Sequence, residues 1–143
     1  MTSISQYMTT QHRCCDDSFA AAENAVADSQ WQQAQTQWQK FCADLECHLQ
    51  NEEQQLFPAF EQLTGNSAGP TAVMRMEHEQ MRALVNEMTN SLNDKNSDSY
   101  LGLSETLMIL MQQHNMKEEQ MLYPMTDQVI PDNAAMVAGL NDL

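Results

Sequence analysis

The sequence predicts an all-α fold, an up-down-up-down antiparallel four-helix bundle built from two pseudo-equivalent helical hairpins. Strong helix formers dominate the 143 residues, and glycine occurs only four times. No segment alternates apolar and polar residues as a strand would. A sequence pattern also repeats after 66 residues, which indicates that the two halves of the chain have the same structure.

Turn-forming residues divide the chain into helices. Asp28 or Ser29 can cap a second helix, and Pro70, at the end of a turn-rich segment, suits the first turn of a third. A third break covers 93–98, and Pro131 follows the end of the fourth helix, after which a short terminal helix is expected. Short loops imply antiparallel neighbours. The predicted helices cover about 6–27, 30–63, 71–92 and 98–127.

Length and composition predict a single domain over residues 1–143. The net charge is −14, with only six Lys and Arg, which argues against nucleic acid or an anionic membrane surface as a partner. No apolar run approaches the roughly 18 residues of a membrane span. Residues 1–13 show no signal peptide, so we expect a cytoplasmic protein with four reduced cysteines.

The 66-residue repeat contains all four histidines. Residues 48–58 read HLQNEEQQLFP, and residues 114–124 read HNMKEEQMLYP. Two prolines at matching positions inside helices predict a kink or a helix end there. The repeat pairs His12 with His78, His48 with His114, Glu52 with Glu118, and Pro58 with Pro124.

Helical periodicity places these residues on inward-facing stripes. The second predicted helix has one apolar stripe that includes His48 and Glu52, and the fourth has one that includes His114 and Glu118. We therefore expect all four histidines and two glutamates to face the bundle interior. The stripe of the fourth helix comprises Leu107, Leu110, Met111, His114, Glu118, Met121, Leu122 and Met125.

This set of residues predicts a dinuclear metal site. Burying two carboxylates without partners would cost several kcal/mol each, and their stripes contain no Lys or Arg. A His and a Glu four residues apart lie on one helix face, so each pair can converge on one centre. If each glutamate bridges two ions, each ion has two imidazole nitrogens and two carboxylate oxygens. A solvent-derived oxo or hydroxo bridge then leaves about one octahedral position open.

This ligand chemistry favours two iron ions, then manganese, while zinc usually prefers four ligands in an unbridged site. Three neighbouring residues, Asp16, Arg82 and Glu119, are candidates for a supporting role, although all three also fit solvent-exposed positions. Asp16 could orient the His12 imidazole, and Arg82 could neutralise a bridging glutamate or hydrogen-bond a bound ligand. Glu53 and Glu119 are predicted to face solvent.

The double His-x-x-x-Glu arrangement resembles the hemerythrin-like proteins, the HHE cation-binding family, over nearly the whole chain. The resemblance implies a non-haem di-iron centre with four terminal histidine ligands and two bridging glutamates. Oxygen-carrying members have a fifth histidine, where this chain has Met74 or Arg82, and a bridging Asp at the position of Glu119. The repeat favours Glu118 as the bridge, with Glu119 as the alternative. The four-His, two-Glu set is similar to that of bacterial members, including proteins implicated in repairing damaged iron centres.

These observations favour a non-enzymatic protein that binds O2 or NO at open coordination positions, for sensing, scavenging or carriage. The alternative is a di-iron redox or iron-donating protein in the nitrosative or oxidative stress response or in iron-sulfur repair. A metal-stabilised interaction module is a third hypothesis, and a protein partner remains open in each.

Overall fold

The computed structural model describes residues 2–143, and within that range it contains helices and no strands. Two π-helical segments, Glu52–Leu56 and Glu118–Leu122, interrupt otherwise α-helical rods. The chain thus forms four long rods whose ends lie within two residues of the predicted ranges. The α-helices are α1 Ile4–Ala27, α2 Trp31–Asn51, α3 Phe57–Thr64, α4 Pro70–Asn93, α5 Ser97–Lys117, α6 Tyr123–Val129 and α7 Asn133–Gly139.

Local sequence signals define most helix ends. Ser3 and Gln6 form a reciprocal capping box at the start of α1, and the Asn96 side chain accepts from the Ser99 N–H at the start of α5. Gly65, with φ of 68°, ends α3 in the left-handed conformation. Pro70 occupies the first turn of α4, as predicted.

The predicted cap of the second helix is wrong. Gln30 is the residue before α2, and no side chain caps that helix start. Ser29 has φ of 55° and therefore closes the turn after α1 instead of capping the next helix. The N–H of Gln30 donates to the Ala25 carbonyl at 2.8 Å, which completes the same tight turn.

The rods pack as two antiparallel hairpins. Helix α1 lies along α2, and α4 lies along α5. The hairpins contact each other where α1 meets α5 and α6, where α2 meets α4, and where α3 meets α6. This arrangement confirms the predicted all-α bundle. No helix in the described range is long and apolar enough to cross a membrane.

The interior contains two apolar clusters, one at each end of the bundle, and each rod contributes to both. The larger cluster includes Phe19, Trp38, Phe41 and Tyr100, and the smaller one includes Ile4, Met8, Leu56 and Phe60. Where each rod passes from one cluster to the other, it carries a buried histidine. The polar residues of the repeat therefore form a layer, called the polar layer below, between the two apolar clusters, which shield it from water.

The repeated prolines follow the π segments. In each segment the turn is widened to an i→i−5 hydrogen bond, and the N–H of Phe57 donates to the Glu52 carbonyl, as that of Tyr123 does to Glu118. Helical structure continues through each proline into α3 or α6, so the helix end, one of the two predicted alternatives, is not found. Pro58 and its equivalent in α6 occupy the first turn after the widened one, where a missing N–H is tolerated.

The π segments also correct one predicted stripe. Periodicity of 3.6 residues placed Met121 and Met125 in the interior, yet their exposed fractions are 62% and 39%. A widened turn holds an extra residue, so the α-helical pattern slips beyond Glu118. Leu122, which was predicted in the same stripe, is buried.

We predict that Phe41→Ala destabilises the protein by about 3–5 kcal/mol, because a fully buried aromatic ring leaves a cavity. Phe41 stacks on Trp38 at 5.2 Å and meets Phe19 edge-on at 5.1 Å between ring centroids. Urea unfolding followed by circular dichroism measures the change. Ile109→Ala, at a position 56% exposed, is the control and should change stability by less than about 0.5 kcal/mol. Equal losses in the two variants would contradict the described core.

Candidate metal centre

The structure brings the six repeat residues together in the polar layer. Each rod contributes at least one of them, and none of these residues is more than 3% exposed. The histidines come from α1, α2, α4 and α5, and each glutamate begins a π segment. The six are His12, His48, Glu52, His78, His114 and Glu118.

Their donor atoms form two groups that share both glutamates. The first group adds His12 and His48, and the second adds His78 and His114. Within each group, one donor atom from every residue lies within 4.8 Å of the others. Each glutamate also faces a histidine of both groups: Glu52 Oε1 lies 3.6 Å from His48 Nε2 and 3.0 Å from His78 Nε2. Such an arrangement can hold two ions side by side.

Unsatisfied polar atoms test whether the site suits metal ions. Among the described residues, five buried side-chain atoms have no hydrogen-bond partner, and four of them belong to this layer. His78 Nε2 lies 3.0 Å from a Glu52 oxygen, and His114 Nε2 lies 3.2 Å from a Glu118 oxygen, yet neither pair is aligned as a hydrogen bond. Buried polar atoms without partners are costly, and a cation would satisfy them. The donor set therefore fits metal ions.

Each histidine is oriented from behind by an acceptor at Nδ1. In each hairpin, the residue before the first histidine accepts a hydrogen bond from Nδ1 of the second histidine. Gln11 accepts from His48 at 2.9 Å, and Glu77 accepts from His114 at 2.9 Å. The residue after each bridging-candidate glutamate accepts a hydrogen bond of 2.7 Å from Nδ1 of the first histidine of the other hairpin. Glu119 accepts from His12, and Glu53 accepts from His78. An occupied Nδ1 points Nε2 toward the centre, which is the usual support of a metal-binding histidine.

The π segments explain how two consecutive glutamates serve one centre. Glu52 faces His78 Nε2, while the next residue, Glu53, accepts from Nδ1 of the same ring. Glu118 and Glu119 hold His12 in the same way. On a regular helix, neighbours diverge by about 100°. The widened turn lets both side chains contact one imidazole. Glu119 is exposed and also supports His12, which agrees with its place among the candidate supporting residues, whereas Glu53, predicted to face solvent, is half-buried and holds His78.

Electrostatics of the metal-free layer reflect its crowded charges. Burial and the nearby Glu118 charge raise the pKa of Glu52 to about 7. Burial opposes the charged form of His12, but hydrogen bonds with Glu118 and Glu119 raise the pKa of His12 to about 10. Burial lowers the pKa of His48 well below its usual value, and the charge of His12 adds to that effect. In the absence of metal, protons take the place of cations between these groups.

The other two supporting residues predicted from sequence, Asp16 and Arg82, act differently from expectation. His12 Nδ1 is engaged by Glu119, so Asp16 does not orient that ring and instead lines a surface cavity between α1 and α5. Arg82 binds Glu53 with two hydrogen bonds of 2.9 Å and also contacts Glu46. It thus fixes the acceptor behind His78, whereas the sequence suggested contact with a bridging glutamate or a bound ligand, or a solvent-exposed side chain.

Sequence reasoning missed Tyr123, Gln11 and Glu77. The Tyr123 hydroxyl donates to Glu52 Oε2 at 2.7 Å and lies 3.0 Å from Glu118 Oε1. Its equivalent in the first half is Phe57, which stacks on His78 as Tyr123 stacks on His12. The Phe-to-Tyr difference within the repeat was visible in the sequence and could have marked this position.

The cysteines lie outside the two donor groups, and all four are free thiols. Burial raises the pKa of the Cys42 thiol to about 11 and that of Cys15 still higher. Protonated, half-buried or buried thiols are poor ligands and nucleophiles. Cys15 lies in the larger apolar cluster and Cys42 packs against it, so these two thiols have a packing role.

We predict that the metal-free protein loses stability as the pH rises from about 7 to 10. The unfolded chain releases its histidine protons near pH 6.5. The negative charge of Glu118 overcomes burial and raises the pKa of His114 to about 9, and hydrogen bonds to Glu118 and Glu119 raise the pKa of His12 to about 10. The folded state therefore binds more protons in this window, so the free energy of unfolding falls with pH, on the order of a few kcal/mol.

Thermal unfolding after chelation, at several pH values, measures this effect. The metal-loaded protein is the control, because bound cations replace the protons and should abolish the decline. A midpoint for the metal-free protein that stays constant or rises over this window would contradict the described charge network.

The comparisons with known proteins agree with the geometry. The model of the hemerythrin HHE cation binding domain matches residues 3–126, which include all six residues of the layer. No curated protein and no solved structure compared with the chain matches it. Because the match covers most of the 143 residues, the chain belongs to the hemerythrin HHE cation-binding family.

Proposed function

We propose that the protein binds two iron ions, with His12 and His48 on one ion, His78 and His114 on the other, and Glu52 and Glu118 bridging both. The single observation that carries this proposal is the pair of buried donor groups that share the two glutamates. Two shared carboxylates can hold two cations close together, and their negative charge reduces the repulsion between the cations.

Iron is favoured over other ions by the donor chemistry. Mixed imidazole and carboxylate ligands with bridging carboxylates suit iron, with manganese next and zinc less suited. Three of the four acceptors behind the histidines are carboxylates, namely Glu53, Glu77 and Glu119. Negative charge behind an imidazole strengthens its bond to a cation and supports the higher oxidation state of iron.

The bound pair would take up a small diatomic ligand, O2 or NO. Four protein ligands leave coordination positions open on each ion. The six ligands are at most 3% exposed and lie between two apolar clusters, so the interior excludes an organic substrate. This supports sensing, scavenging or carriage and argues against turnover of a larger molecule.

Iron donation during repair of damaged iron centres is a second candidate, and one observation favours it. Glu119, which holds His12, is 37% exposed at its side chain and lines an open cavity of about 600 Å³ between α1 and α5. When the residue that holds a metal-binding histidine is exposed to solvent, that histidine can release its ion more easily than one held by a buried residue.

Variants of the ligands test the di-iron assignment. We predict that His48→Ala or Glu118→Ala lowers bound iron from about two ions per chain to one or fewer, because each removes a donor that nothing else replaces. Iron analysis after anaerobic loading and gel filtration gives the value. Glu105→Gln, at an exposed position, is the matched control and should bind like the unaltered protein. Equal iron content in all variants would overturn the assignment.

Glu53, a neighbour of the proposed ligand Glu52, would not serve as the control, because it accepts the hydrogen bond from His78 Nδ1. We expect Glu53→Gln to weaken iron binding by roughly 10–100-fold, the usual effect of removing such a support.

Ligand binding separates the two candidate functions. We predict that the ferrous protein changes its visible spectrum on addition of NO or O2 and returns to the starting spectrum when the gas is removed. Irreversible oxidation, together with transfer of iron to an apo-protein acceptor, would favour iron donation. Unchanged spectra with both gases in a fully loaded protein would contradict the gas-binding proposal.

A further inference from the structure

The Tyr123 hydroxyl lies among the donors of the first group. Its oxygen is 2.7 Å from Glu52 Oε2, 3.0 Å from Glu118 Oε1, 3.0 Å from His12 Nε2 and 3.5 Å from His48 Nε2. It therefore contacts one donor atom of every residue in that group. The hydroxyl therefore lies beside the candidate donor atoms, on the inner side of the histidine rings, where an ion would bind.

These distances are those expected between ligands of one ion. In an octahedral site with bonds of about 2.1 Å, adjacent donors lie roughly 3.0 Å apart. The phenol oxygen has four such neighbours, which matches a donor adjacent to all four residues of the group.

Packing keeps the hydroxyl where it is. Tyr123 is 0% exposed, and its ring stacks on His12 with 5.5 Å between centroids. The residue also begins α6 directly after the π segment that carries Glu118. Because the side chain is buried and stacked in this position, an ion bound in the first group lies next to the phenol oxygen.

We propose that Tyr123 is a further ligand of the ion held by His12 and His48. The step breaks the phenol O–H bond, releases the proton to solvent and forms a bond from the oxygen to the ion, with no change of oxidation state. This inference rests on the proposed dinuclear centre and adds a seventh protein ligand to it.

The internal repeat restricts this ligand to one ion. Phe57 occupies the equivalent position beside the second group and stacks on His78 with 5.7 Å between centroids, but it has no oxygen to offer. The two ions are therefore inequivalent. The open coordination position lies on the ion held by His78 and His114, beside the apolar Phe57 ring, and the diatomic ligand binds there.

The test compares three proteins loaded anaerobically with ferrous iron and then oxidised: the unaltered chain, Tyr123→Phe and Tyr100→Phe. Phenolate bound to ferric iron gives a visible charge-transfer band, and Raman excitation within that band enhances phenolate ring vibrations. Tyr100 is a buried tyrosine in the larger apolar cluster, so Tyr100→Phe removes a hydroxyl outside the site. Phe is tolerated at the repeat-equivalent position of Tyr123, which favours a folded variant.

We expect the band and the ring vibrations in the unaltered chain and in Tyr100→Phe, and their loss in Tyr123→Phe with at least one iron retained. Absence of phenolate vibrations from the iron-loaded unaltered chain would overturn the proposal, as would an unchanged band in Tyr123→Phe. Vibrations in the unaltered chain support it even if the variant fails to fold. Failure of the unaltered chain to bind iron would instead refute the proposed function.

Discussion

Four imidazoles and two carboxylates are buried in one layer of the bundle, and the rest of the structure depends on how their charges are balanced. Uncompensated, such groups would cost several kcal/mol each, more than a domain of this size can readily tolerate. Outer acceptors fix the rings, and apolar clusters on both sides keep water away. Four of the inner donor atoms are left without hydrogen-bond partners, an arrangement that cations would complete.

The duplicated hairpin supplies the symmetric part of the centre, and divergence between the halves supplies the rest. Ligands, π segments and prolines are kept at the 66-residue offset. The surroundings differ: Gln11 corresponds to Glu77, Asp16 to Arg82, and Phe57 to Tyr123. As a result, the second group has a carboxylate behind both histidines and a guanidinium that closes its outer side, whereas the first has one carboxylate, an open cavity and a phenol.

The sequence predicted the fold and the inner residues well because both follow from periodicity. Helical spacing and the repeat placed His48 and Glu52 in the interior without knowledge of tertiary contacts. The π segments could not be predicted, since a widened turn changes the rotation per residue, and this is why Met121 was misplaced. Supporting contacts such as that of Glu119 with His12 cross between hairpins, and no pattern within one helix reveals them.

A crystal structure of the iron-loaded protein, with anomalous data collected on both sides of the iron edge, tests the central claim most directly. We expect two iron peaks in the polar layer, one bonded to His12 and His48 and the other to His78 and His114, with Glu52 and Glu118 bonded to both. A single peak, or peaks bonded elsewhere while these six side chains bond only to one another, would contradict it.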